Sequence, residues 1–227
     1  FFFFLKMKFF VVLLFPIFLF SQEKDSLTIK VSGFLETYYA YDFSNPTNDV
    51  KLPFMYNYNR HNEFNVNNGL IRAQLQYGTT YASIAVHAGT YVDDNYASED
   101  IKLLSEAYVG LFLNDNKKAS IEVGILPSYI GFESATTGAN LTLTRSMLAE
   151  NSPYFETGIK LNYVSKSEKW TFNLLGLNGW QRIASLTPSF SPSLGLQITY
   201  IPVKEWLFNY SNFVGEINSF VPFNQVT

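Results

Sequence analysis

Phe155-Glu156-Thr157-Gly158-Ile159-Lys160-Leu161-Asn162-Tyr163, the polar turn Ser165-Lys166-Ser167-Glu168-Lys169, and the return Trp170-Thr171-Phe172-Asn173-Leu174 decide the fold. Phe155, Thr157, Ile159, Leu161 and Tyr163 share one parity, whereas Glu156, Lys160 and Asn162 share the other. After a longer connection the pattern returns, with Leu194, Leu196, Ile198 and Tyr200 set against Ser193, Gly195, Gln197 and Thr199. A turn from Pro202 to Glu205 then leads into Trp206. Alternation with a period of two describes strands with one apolar and one polar face. Aromatic residues bracket the short turns: Tyr163 with Trp170, and Tyr200 with Trp206. Tyr77 stands at the corresponding end of an earlier strand. Such pairs mark a membrane interface on a transmembrane β-barrel.

Outward from these hairpins, nine strands are expected. The first covers about Thr28 to Asp42, and a loop rich in asparagine runs to His61. The second covers about Glu63 to Tyr77 and changes phase near Asn67-Asn68-Gly69, which predicts a β-bulge. A tight turn at Gly78 leads to a third strand in which Ala82, Ile84, Val86 and Ala88 alternate with Ser83, His87 and Gly89. A long acidic loop, about Val92 to Lys102, precedes the fourth strand, where Ala107, Val109, Leu111 and Leu113 lie opposite Glu106, Tyr108 and Gly110. Ile121, Val123 and Ile125 mark the apolar face of the fifth strand. The longest connection, Pro127 to Ser152, carries a weak helical signal near Thr144 to Glu150. Long and short connections alternate throughout, as in a barrel with short turns at one rim and long loops at the other. The fold class expected is all-β: a transmembrane, antiparallel, up-and-down β-barrel. A soluble β-sandwich also alternates, but it explains neither the turn-flanking aromatics nor the loop lengths.

Composition agrees. Charged residues make up 15% of the 227 residues, against about 25% in ordinary globular chains. Aromatics reach 18%, with 22 Phe and 15 Tyr. A net charge of −3 gives no basic stripe for nucleic acid. The absence of cysteine excludes disulfides, thiolate catalysis and thiolate metal sites.

The N-terminus reads as three parts. Residues 1–6 look like translated upstream sequence, with Met7 as the start. Residues 7–22 read as a signal peptide: Met7-Lys8, an apolar run from Phe9 to Phe20, then a polar exit. That run is shorter than the roughly 20 residues a spanning helix needs. Residues 23–227 then form the N-terminal part of one barrel. The odd strand count suggests that further strands complete it, because bacterial barrels close with an even number.

In lipid, charges are costly on the outer face, so Lys30, Glu36, Asp42, Arg72, His87, Glu106, Glu122, Glu156, Lys160 and Asn162 are assigned to the lumen. As a mixed set they would line a pore and bias ion passage. Individually, each could equally solvate a wet interior or pair across strands. The Pro127–Ser152 loop, with Glu133, Arg145 and Glu150, is the candidate constriction. It is long enough to fold inward, and Gly131 and Gly138 permit a reversal there or on the surface alike. Catalysis finds little support. Ser83 and His87 face the same way but stand four residues apart on one strand, roughly 13 Å by strand rise. No residues have metal-ligand or phosphate-loop spacing, so no cofactor and no metal are expected.

The segments Gly33-Phe34-Leu35-Glu36-Thr37-Tyr38-Tyr39, Tyr58-Asn59-Arg60-His61-Asn62-Glu63-Phe64-Asn65, Gly124-Ile125-Leu126-Pro127-Ser128-Tyr129, Ala149-Glu150-Asn151-Ser152-Pro153-Tyr154-Phe155-Glu156 and Leu177-Asn178-Gly179-Trp180-Gln181 give the chain a further likeness. It resembles the β-barrel porin-2 family of Gram-negative outer membranes, also called OmpL-like, over about Gly33 to Tyr210. The resemblance implies an outer-membrane porin, exported through the Sec pathway and free of catalytic residues, without fixing the solute. Passive diffusion of small hydrophilic solutes or ions is the expected function. The alternative is a plugged barrel acting as a surface binding or adhesion protein. Expected partners are membrane lipid and lipopolysaccharide, the barrel-assembly machinery and small hydrophilic solutes. A homo-oligomer is compatible with this class, and nucleic acid is not.

Overall fold

A computed structural model describes residues 26–51, 55–96, 99, 101–184 and 192–215. Residues 1–6 and the leader at 7–22 lie outside the described residues. Nine strands form one antiparallel sheet in chain order: β1 (Thr28–Tyr39), β2 (Phe64–Tyr77), β3 (Thr80–Ala88), β4 (Leu104–Phe112), β5 (Ala119–Pro127), β6 (Phe155–Val164), β7 (Trp170–Leu177), β8 (Ser193–Val203) and β9 (Trp206–Val214). β1 and β9 are its two edges. Every strand pairs with the next, and the connections after β2, β4, β6 and β8 are the short ones. The up-and-down order and the loop alternation match the sequence expectation. A sandwich would need two facing sheets.

Exposure is inverted relative to a soluble protein. Val31, Leu35, Ile71, Ile84, Val109, Val123, Ile159 and Leu174 are all exposed, at 42% or more. Ser83, His87, Glu106, Ser120, Glu122 and Asn173, from the opposite parity, are buried. The apolar face therefore points outward and the polar face is enclosed. The predicted phase slip is present: Glu36 pairs with Asn68 and Thr37 with Val66, leaving Asn67 as the extra residue. The bulge buries two consecutive side chains, Asn67 and Asn68.

Three local expectations are corrected. β1 ends at Tyr39 rather than Asp42, and Asp42 sits in the following loop, where its carboxylate accepts bonds from the Ser44 amide and hydroxyl. Ile125 and Phe155 do not join the exposed apolar face but are buried in an aromatic cluster. On β5 the alternation stops at Gly124, whose φ of +136° is open to glycine and strained for other residues. The acidic loop after β3 begins with a buried helical turn, α1 (Thr90–Asn95). The helix expected near 144–150 is present as α2 (Met147–Glu150). Ser146 caps it, its hydroxyl accepting from the Ala149 amide.

The aromatic cluster lies at the long-loop end of the sheet. Tyr56, Tyr91, Val92, Tyr96, Ile125, Tyr154 and Phe155 form it. Tyr91 meets Tyr154 edge-on at 5.1 Å, and Tyr96 stacks on Phe155 at 4.8 Å. These tyrosines come from loops that converge over the end of the sheet, which is where the packed core resides.

Candidate pore interior

The enclosed polar face has two chemically different halves. From β2 to β6 it is ionic. Arg72 on β2 reaches over β3 to Glu106 on β4, with Nε and Nη2 donating at 3.1 and 2.5 Å. Ser83 on the intervening strand donates to the same carboxylate at 3.1 Å. Lys160 pairs with Glu122 at 2.6 Å, and Tyr81 donates to Glu122 at 2.7 Å. From β6 to β9 the face is neutral. Asn162 donates to Asn173 at 2.7 Å, and Asn173 donates to Gln197 at 2.7 Å. Asn209 continues the ladder to Thr199 at 3.0 Å.

The connection between β5 and β6 lies against this face and touches both edges of the sheet. The Tyr129 hydroxyl donates to the Asn212 carbonyl on β9 at 2.8 Å. Gln197 Nε2 on β8 donates to the carbonyls of Tyr129 and Gly131 at 2.5 and 3.0 Å. Gly195 makes room for this contact, since a Cβ there would lie 2.5 Å from the Tyr129 ring. On the far edge, the Thr137 hydroxyl donates to Glu36 on β1. A flat sheet would hold its first and ninth strands roughly 38 Å apart. Eight residues together with the Tyr129, Thr137 and Glu36 side chains would span that distance only if nearly straight, and the segment from Tyr129 to Thr137 bends repeatedly. The sheet therefore curls around the loop with its polar face inward.

A second layer forms where the first long loop folds down. Glu36 also accepts from Tyr58 Oη, and from Asn67 Nδ2 at 2.6 Å. Glu150 accepts from the Tyr56 amide at 3.2 Å and from Asn57 Nδ2. Burial pushes the Glu150 carboxyl above its ordinary range, outweighing the Asn57 bond that lowers it. Burial likewise pushes Tyr56 and Tyr58 up to about 12, so both hydroxyls stay protonated donors. Arg60 holds Asp94 through two bonds, at 2.9 and 3.0 Å.

An exposed apolar wall around an enclosed polar face is the arrangement that a membrane barrel requires. The family described as "putative beta-barrel porin-2, OmpL-like" matches residues 28–224. The chain belongs to this family. No curated protein and no solved structure matches the chain.

Within this porin-family barrel the residues singled out from the sequence fall in several environments. Arg72, His87, Glu106, Glu122 and Lys160 lie together on the polar face, along with Asn162. His87 is buried, with Nε2 3.2 Å from the Lys102 carbonyl and its ring edge-on to Tyr96. Ser83 and His87 therefore have separate partners. Glu36 is taken up by the two loops, and Lys30 is exposed at the start of β1. Glu156 is fully buried and accepts from the Gln181 amide at 3.3 Å. Asp42 lies outside the strands. Of the loop residues, Glu133 accepts from the Ser146 amide at 2.9 Å, and the Arg145 guanidinium lies 4.6 Å from the centre of the Tyr154 ring.

Of the predicted interface aromatics, Tyr77, Tyr163, Trp170 and Trp206 are exposed and Tyr200 is half-buried, and all five lie at the short-turn rim. Trp170 stacks on Tyr200 at 4.0 Å, and Tyr163 on Phe172 at 6.4 Å. Trp206 and Tyr77 are exposed at 60% and 55%. Sequence reasoning missed Asn57, Asn67, Asn68, Tyr129 and Gln197. The phase slip at Asn67-Asn68 and the polar parity of Gln197 carried the signals available for any of them.

Proposed function

We propose that the protein is an outer-membrane porin that passes small hydrophilic solutes or ions by passive diffusion. The observation that carries this reading is the enclosed face lined by Arg72, Glu106, Glu122 and Lys160 beneath an exposed apolar wall. Ionised groups held inside a barrel keep water and ions in the lumen. On this reading the Pro127–Ser152 loop is the constriction, with Glu133, Arg145 and Glu150 on it. The protein sits in the outer membrane of a Gram-negative bacterium, reached by Sec export and inserted by the barrel-assembly machinery. Its outer face contacts lipid and lipopolysaccharide, and the class admits a homo-oligomer. No catalytic role is assigned to any residue.

The test is planar-bilayer conductance of the complete protein refolded in detergent. Discrete, stable current steps are expected. A correctly folded barrel with no steps would sink the pore reading. It would favour a second one, a plugged barrel that serves as a surface binding protein. The observation behind that alternative is the tether of the inner loop to both β1 and β9.

A further inference from the structure

Asn68 and Arg145 are both enclosed, at 1% and 7% exposure, and both line one cavity of about 410 Å³ on the polar face. Neither Asn68 Nδ2 nor Asn68 Oδ1 has a hydrogen-bond partner. Arg145 Nε and Nη1 also lack one, and the third guanidinium nitrogen donates to the Ala149 carbonyl. Buried donors and acceptors are costly to leave unpaired, so unpaired groups on two residues that line one cavity point to an occupant that shifts these side chains to reach them.

The carboxylates nearby do not fill this role. Glu106 is held by Arg72 and Ser83, Glu133 by Ser146, and Glu150 by Tyr56 and Asn57. Arg145 lies over the Tyr154 ring and within electrostatic reach of Glu150, and its Nε and Nη1 still lack hydrogen-bond partners. Asn68, on the wall of the same cavity, offers one donor group and one acceptor. Tyr108 also lines the same cavity and supplies aromatic surface, the kind of wall that takes the apolar face of a ring. The carboxylates already present disfavour a second full dianion, so a monoanion fits better than a phosphate dianion.

We propose that this cavity is a binding subsite for a small hydroxylated carboxylate of the sugar-acid type. Arg145 takes the carboxylate, and Asn68 takes a hydroxyl group as both donor and acceptor. The proposal rests on the porin reading for its biological meaning, because the subsite would slow and select a permeating solute.

The experiment is calorimetric binding of D-glucuronate to the refolded complete protein in detergent, with D-glucose as the neutral probe. Channel current is recorded separately in both solutes. Glucuronate should bind and glucose should not. Arg145→Gln should weaken glucuronate by at least about tenfold, the loss of a charge-assisted hydrogen bond. Asn68→Asp, which is isosteric and places a carboxylate in the cavity, should weaken it similarly and covers the case in which Arg145→Gln fails to fold. Lys118→Gln, at an exposed turn paired with Glu168, should leave binding unchanged. Equal binding of glucose and glucuronate overturns the subsite by showing that the carboxylate is not recognised, and no binding of either overturns it and means that water alone occupies the cavity. Binding without current supports the subsite while the pore reading fails. Current without binding does the reverse.

Discussion

Val123 stands at the centre of β5, exposed at 49%, with Val109 of β4 and Ile159 of β6 as its register partners. Those partners are exposed at 63% and 42%, so a continuous aliphatic band crosses three strands. If that band faces lipid, Val123→Arg places a charge near the bilayer midplane, at a cost of about 2–4 kcal/mol. At 1.36 kcal/mol per factor of ten, the folded-to-unfolded ratio falls roughly 30- to 1,000-fold. Gln74→Arg is the matched control. Gln74 lies on β2, on the same face as Arg72 and along the same cavity, where a charged side chain stays in water. It should change stability by no more than about 0.5 kcal/mol. The assay is equilibrium urea unfolding from lipid vesicles, followed by tryptophan fluorescence. Equal costs at the two positions, or a cost below about 1 kcal/mol for Val123→Arg, would refute the inside-out assignment.

Gly195→Val should displace Tyr129, because a Cβ at that position meets its ring at 2.5 Å. The bond to Asn212 is then lost, and single-channel conductance should rise if the loop narrows the lumen; unchanged conductance counts against a constriction. Trp170→Ala removes the 4.0 Å stack on Tyr200 and should cost about 1 kcal/mol in the same urea assay. Burial raises the Glu150 carboxyl above its ordinary 4.5. Between that value and the raised one, the docked loop holds more protons than a detached loop, so docking weakens as pH rises through the window. Hydrogen-exchange protection of the Tyr56 amide should follow that fall, and Glu150→Gln should flatten it. Glu122→Gln removes the counter-charge of Lys160, 2.6 Å away. The reversal potential in a potassium chloride gradient should move toward anion selectivity, and no shift would mean that this pair does not face the ion path.

The strands were legible because a half-exposed strand writes its two environments into alternate residues, as Ile159-Lys160-Leu161-Asn162 does. The same arithmetic exposed the bulge at Asn67. It failed at Ile125 and Phe155, where loop aromatics cover the strand ends and both parities become buried. α1 escaped because its six residues are too few to show a helical period. The asparagines of the first long loop looked like ordinary turn chemistry. Their burial depends on distant partners, Asn57 on Glu150 and Asn59 on Asp94. No local pattern encodes such a pairing.

Glu36 shows how far parity alone can carry a functional reading. Alternation along β1 puts its carboxylate on the polar face. Three donors from three segments, Tyr58, Asn67 and Thr137, then consume it. The same holds for Arg72 with Glu106 and for Lys160 with Glu122. Inward charge is therefore not the same as charge offered to a solute, because a paired carboxylate contributes mainly a local dipole. Besides Glu156 and Thr157 at the covered start of β6, the groups that still have bonding capacity include Arg145 on the loop and Asn68 in the bulge. Both depart from the regular strand: one needed the chain to fold back into the interior, and the other needed an extra residue to turn a second side chain inward. On the proposed pore reading, selectivity is thus better sought where the β-pattern is broken than along the alternation that revealed the fold.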